Sequence, residues 1–176
     1  NLLAHGNEQF NFDVTEIEIN ENGNEIKGLK RGKISTNEGL TIDADTFKFN
    51  KTLNQLHANG NIIIKDITQN ITIFAEKISY DKDKEIIVSE GNVRFNNDSL
   101  KIRANKIQYL KLENVISAEE EVVVEDKFKD LKIFANKITY FKNLEKIVTN
   151  DKTQAIIQSK YNFSSSFSNN STKFLD

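Results

Sequence analysis

An all-β fold built from repeats is what this sequence predicts, on three observations. A block of about 30 residues recurs along the chain, apolar residues inside each block alternate with period 2, and that alternation changes parity at one fixed place.

The recurrence is carried by four aligned openings. They are Leu40-Thr-Ile42-Asp-Ala44-Asp-Thr-Phe47-Lys-Phe49, Ile71-Thr-Ile73-Phe-Ala75-Glu-Lys-Ile78-Ser-Tyr80, Leu100-Lys-Ile102-Arg-Ala104-Asn-Lys-Ile107-Gln-Tyr109 and Leu131-Lys-Ile133-Phe-Ala135-Asn-Lys-Ile138-Thr-Tyr140. Their alanines are spaced by 31, 29 and 31 residues. A weaker copy, Phe12 to Ile19, precedes them. The register continues at Ala58, Ser89, Ala118 and Thr149, and Gly60 and Gly91 share a position that Glu120 and Asp151 occupy later.

Each opening alternates, as in Leu40, Ile42 and Ala44, in residue types that favour strands. From Ala44 to Phe47 the parity flips, and the flip recurs at Ala75, Ala104 and Ala135. A flip at a fixed place predicts a bulge or corner. Short turns rich in Asn, Asp and Lys follow (50–54, 81–84, 111–114, 142–144), in a chain with no Pro and seven Gly. A second alternating run then returns, Leu56 to Ile64 and Ile87 to Phe95. Each copy is thus a bent hairpin. Stacked hairpins predict two facing antiparallel sheets, a V-shaped β-jellyroll or solenoid folded along the row of small residues. The copies lie near 10–39, 40–70, 71–99, 100–130 and 131–163, forming one β-repeat domain over 1–163. Residues 164–176 read as a flexible Ser/Asn-rich end or the start of a further repeat.

Composition excludes several functions. The net charge of −2 offers no overall basic field for nucleic acid. With no Cys there is no disulfide or thiolate chemistry. His5 and His57 stand apart without convergent partners, so neither a catalytic nor a metal site is expected. Asp81 to Glu85 lacks the glycine and ligand spacing of a calcium loop and reads as a solvated turn. Glu119-Glu120-Glu121 puts a charge at an inward parity position, as at a solvent-open site. The recurring Tyr80, Tyr109 and Tyr140 are expected where a phenol reaches water. No apolar stretch reaches the 18 residues of a spanning helix. With no Met, the chain reads as a mature form or a piece of a longer one. Leu3-Ala4-His5-Gly6-Asn7 looks like the tail of a preceding copy, and Lys160 to Phe163 like the opening of another.

The motif Ala-[Asp/Glu/Asn]-[Thr/Lys]-[Phe/Ile]-x-[Phe/Tyr], a turn, then [Ala/Ser]-x-Gly-Asn-[Ile/Val] resembles the OstA-like repeat of lipopolysaccharide-transport proteins. Ala44 to Ile62 and Ala75 to Val93 carry it in full. The copies at Ala104 and Ala135 replace Gly-Asn by Glu120-Glu121 and Asp151-Lys152. The resemblance covers about residues 12 to 163. It implies a periplasmic, non-enzymatic β-jellyroll without cofactor, in a Gram-negative bacterium. Its partners would be lipopolysaccharide and like domains docked head to tail through strand edges. Two family members come nearest, the soluble LptA-like bridge and the N-terminal domain of the LptD-like outer-membrane translocon. The array running off both ends favours the latter, with an outer-membrane β-barrel to follow.

On that reading the interior holds lipid A acyl chains. The wall candidates of the first two openings are Ile42, Ala44, Phe47, Phe49, Ile73, Ala75 and Tyr80. From the later blocks and return strands come Ile64, Phe95, Ile102, Ala104, Tyr109, Val124, Ile133 and Ala135. A structural or adhesive β-solenoid, or a β-helical polysaccharide-processing enzyme, are the alternatives. The first would pack its interior fully, and the second needs a patch of carboxylates on one face.

Overall fold

The computed structural model describes residues 10–158 and 162–167, the side chains only over 10–157. Six short strands come first: β1 (Asn11–Asp13), β2 (Ile17–Asn20), β3 (Glu25–Gly28), β4 (Gly32–Ser35), β5 (Leu40–Ala44) and β6 (Thr46–Asn50). Six long ones follow: β7 (Gln55–Asp66), β8 (Ile71–Asp81), β9 (Ile86–Asn96), β10 (Leu100–Leu110), β11 (Val115–Asp126) and β12 (Leu131–Phe141). The remaining described strands are β13 (Lys146–Thr149), β14 (Thr153–Gln158) and β15 (Asn162–Phe167).

All belong to one 15-stranded antiparallel sheet that does not close into a barrel. The all-β jellyroll expected from the repeats is what forms, with the two facing layers made from a single sheet that bends. The long strands β7 to β12 run through both layers. The upper wing holds β1, β4, β5, β14 and β15 beside the halves of the long strands next to turns 67–70, 97–99 and 127–130. The lower wing holds β2, β3, β6 and β13 beside the other halves.

The bend lies where the parity flips. On β8, Ala75 and Ile78 are both buried while Glu76 and Lys77 between them are both exposed. The paired strand carries one extra residue, for Asn59 pairs with Lys77 and Ile62 with Ala75. That residue is absorbed by two consecutive left-handed positions, Gly60 (φ 80°) with Asn61 (φ 46°), and again Gly91 (φ 83°) with Asn92 (φ 44°). The motif's Gly-Asn pair therefore has two jobs. A Cβ at Gly91 would lie 2.8 Å from that of Glu76. The Asn amides donate across the corner, Asn61 to Asp45 at 2.7 Å and Asn92 to Glu76 at 2.8 Å.

The later copy keeps the bend without glycine. Glu120 (φ 65°) and Glu121 (φ 55°) adopt the same left-handed pair. Both side chains are exposed, and Glu119 pairs outward with Lys137 at 2.5 Å. The sequence expectation of a charge facing inward at 119–121 is thus corrected, because the bulge turns the acids out of the interior.

Turns stack on turns. Backbone N–H groups of Lys51, Lys82, Lys111 and Lys142 donate to the carbonyls of Asn24, Asn54, Glu85 and Asn114, at 2.8, 3.0, 3.0 and 3.1 Å. One bond per repeat holds each hairpin tip to the previous one. At the far end, the expected boundary at residue 163 falls inside β15, which pairs with β14 through Phe167. Residues 3–7, 160 and 161, on which further copies were read, lie outside the described residues, as do 168–176.

Gly91→Ala should destabilise the protein by at least about 1 kcal/mol, since an L residue in the left-handed region is strained. Glu120→Gly should be neutral or stabilising for the same reason. Urea denaturation of the two variants checks both signs.

Candidate functional site

The space between the wings is built by side-chain parity alone. In the upper wing, Ile42, Ile64, Ile73, Phe95, Ile102, Val124, Ile133 and Ala155 are successive cross-strand partners, one unbroken apolar row. Ala44, Ala75, Ala104 and Ala135 flank it beside the bend. In the lower wing the matching row is Phe49, Leu56, Tyr80, Ile87, Tyr109, Ile116, Tyr140 and Ile147. Phe47 lies in the row nearer the bend.

Every one of the fifteen wall candidates points into this interior, all buried except the half-buried Ala135. Sequence reasoning left out most of the lower wing, such as Leu56, Ile78, Ile107 and Ile116, although the same alternation marks them. It also left out Phe10. That ring packs against Phe49 at 5.0 Å and Tyr80 at 5.8 Å, while Phe12 stacks on Phe47 at 5.4 Å. These rings fill the space between the wings near β1. Beyond them the inward row continues on β2, where Ile19 is 57% exposed, and at the other end Ile157 on β14 is 51% exposed. The apolar lining emerges at both ends of the described sheet.

Opposite the bend, at the mouth of the V, the wing tips meet through polar groups. Tyr109 donates its hydroxyl to Asp66 at 3.2 Å, and Gln69 accepts from Asn114 at 2.8 Å and from Lys142 at 3.2 Å. Asn97 donates to the Tyr140 hydroxyl at 3.4 Å, and the Phe95 and Tyr140 rings meet at 6.5 Å. Asp66 and Phe95 belong to the upper wing, their partners to the lower wing three strands further along. The wings are therefore skewed, as sheet twist requires.

The tyrosines correct another expectation. Tyr80, Tyr109 and Tyr140 are buried rather than water-facing, because each phenol finds a protein partner near the mouth. Burial, with the Asp66 charge beside it, pushes the Tyr109 phenol well above its ordinary value. Tyr80 donates to Glu85 at 2.7 Å, and Lys82 and Lys111 also bind that carboxylate. Lys82 and Glu85 thus join Tyr80 and Lys111 in a half-buried polar knot on the lower wing, while Asp83 and Lys84 between them are exposed as expected of a solvated turn. His57 is exposed on the outer face, and His5 lies outside the described residues. Among the described residues no cluster of His, Cys, Asp and Glu could hold a metal ion.

Residues 25–122 match the family described as "Lipopolysaccharide-assembly, LptC-related". No curated protein sequence matches the chain. Among solved structures, the chain is similar to LptH of Pseudomonas aeruginosa, the LptA-homologous periplasmic component of the lipopolysaccharide transport device. The TM-score is 0.62 at 14% identity, over 68% of this chain and 95% of that one. At that identity the likeness establishes the fold.

The polar knot makes a pH prediction. Burial raises the Glu85 pKa, but the bonds from Lys111, Lys82 and Tyr80 outweigh it and leave the carboxyl below its ordinary 4.5. A depressed folded-state pKa stabilises the fold above the unfolded value, and that contribution is lost as pH falls through the folded one. Glu85→Gln should cost about 1–3 kcal/mol at neutral pH and flatten the loss of stability below pH 4.5. Denaturation midpoints measured from pH 7 to pH 3 would show parallel curves if the knot contributes nothing.

Proposed function

The chain belongs to the LptC-related lipopolysaccharide-assembly family, and on that premise we propose that it is a periplasmic lipopolysaccharide-transport domain sheltering lipid A acyl chains between its wings. The observation that carries the proposal is the unbroken apolar row from β5 to β14, with exposed apolar side chains flanking the interior at both ends of the described sheet, Ile19 on β2 and Ile157 on β14. A repeating row offers successive sites of similar affinity, which a moving lipid needs. Burying an acyl chain of a dozen carbons gains roughly 10 kcal/mol gross at about 0.8 kcal/mol per CH₂. No specific hydrogen bond is required for that.

In the structure the inward side chains pack against one another and the mouth is bridged. An acyl chain therefore enters by parting the wings. The bridging groups suit such opening, since Gln69, Asn114, Lys142 and Asp66 are polar and water can replace their bonds. Parting the wings at the mouth leaves the strand ladders intact. Like domains would add by β-strand addition at the edges left unpaired among the described residues, β1 and β2 at one end and β13 and β15 at the other. The family match favours the bridge-type placement over the translocon's N-terminal domain with its barrel at the outer membrane. A ligand-free structural β-repeat is the second reading, favoured by the closed packing of the interior.

The absence of native Cys allows a direct test. A short thiol crosslinker joining Gln69→Cys to Asn114→Cys should abolish lipopolysaccharide capture by a diazirine side chain at Ile42, Phe95 or Ile133. Cleaving the linker should restore it. Diazirines at the outward Ser79 or Thr139 should capture little in either state. Equal capture with the mouth locked would sink the opening mechanism. No inward capture from the folded, unlinked protein would leave the structural reading standing.

A further inference from the structure

The outer face of the lower wing obeys a simple electrostatic rule. Lys77, Glu90, Lys106, Glu119 and Lys137 are successive cross-strand partners, alternating in sign at every strand. Opposite charges placed directly across a ladder stabilise it, and like charges destabilise it. The outer face of the upper wing breaks that rule. Arg94 on β9 and Arg103 on β10 are direct partners. In the two outer rows there from β7 to β12, the cations Lys65, Arg94, Lys101, Arg103 and Lys132 face a single carboxylate, Glu125.

Glu125 is shared between Arg103 at 3.3 Å and Lys132 at 3.2 Å. Arg94 lies over the Phe74 ring at 4.8 Å and, among the described residues, has no ion pair. A second observation concerns residue choice. The chain holds only three arginines, against twenty-one lysines. All three, Arg31, Arg94 and Arg103, line one groove of about 630 Å³ beside the bend. Arg31 is held in place by Asp45 at 2.9 Å and by the Asn61 carbonyl at 3.0 Å. A chain that uses lysine elsewhere keeps its planar, fork-shaped donors here, the shape that binds phosphate oxygens two at a time.

We propose that this groove is a binding site for a phosphorylated headgroup, its phosphate seated across Arg94 and Arg103. The rest of the lining fits the rest of such a ligand. Phe74 and Ile63 offer an apolar shelf for a sugar or glycerol face. Glu76, Glu121 and Asn105 stand at the bend end, where they accept from or donate to hydroxyls and keep the phosphate at the arginine end. The bound phosphate would also neutralise the arginine pair that the ladder leaves unbalanced. Arg94, Arg103, Phe74 and Ile63 project from the face opposite the interior row, and Ala75 and Ala104 line the groove only where it meets the bend, so the phosphate contact is tested separately from lipid shelter between the wings.

The scarcity of arginine makes the test direct, because the full chain shows only three arginine Nε–Hε resonances. Titration with inorganic phosphate and with glucose 6-phosphate should shift those of Arg94 and Arg103 saturably. Vesicles of phosphatidylglycerol, with phosphatidylcholine as the neutral comparison, distinguish a lipid source from a soluble one. Response to the soluble phosphates assigns a soluble ligand. Response to phosphatidylglycerol alone assigns a lipid headgroup, and either supports the site. Arg94→Gln with Arg103→Gln should weaken binding about tenfold or more, and Lys replacements should weaken it several-fold by losing the fork. Lys106→Gln on the other wing should change nothing. The proposal is overturned by no saturable shift with any phosphate probe, or by undiminished binding in the folded Gln variant.

Discussion

One extra residue per hairpin, held in a left-handed pair at the corner, is the constraint on which the rest of the molecule depends. A straight strand with Ala75 facing inward would turn Ile78 outward. The bulge reverses that, so both wings present their apolar side to the same space. Bend and parity flip are therefore a single feature. Where Gly60-Asn61 and Gly91-Asn92 occupy the corner, the backbone adopts it without strain and the Asn side chain ties it to an acid across the corner. Glu120-Glu121 reaches the same geometry with residues that resist it. The shape is imposed there by the pairing on either side.

The two borders of the interior differ in kind. At the bend the chain is continuous and the small alanines let the wings approach. At the mouth the wings touch through side chains that are polar at their tips and apolar along their bodies, above all the three tyrosines. Such contacts satisfy buried hydroxyls across the closed interior. The interior is therefore closed covalently on one side and by exchangeable polar contacts on the other.

The outer faces show how little a net charge of −2 says about a surface. Antiparallel pairing places residues far apart in sequence in one row, and each row acquires its own balance. The lower wing cancels strand by strand. The upper wing gathers cations, Arg94 and Arg103 among them, on the side facing away from the interior.

What the sequence determined by itself was everything local to one hairpin. The period of about 30 residues, the strand alternation, the corner after each alanine and the inward set from Ile42 to Ala135 were all legible. Each depends only on neighbours along the chain. Tertiary structure decided the contacts between hairpins. Tyr109 meets Asp66 and Phe95 meets Tyr140 because twist skews the wings by three strands, an offset no single repeat encodes. The ring of Phe10 became the filling of one end only when β1 came to face β6 and β8. Arg31, Arg94 and Arg103 became one groove only when sheet order and the bend brought three separate copies together. Periodicity tells which way a side chain points, and only the folded sheet tells what it points at.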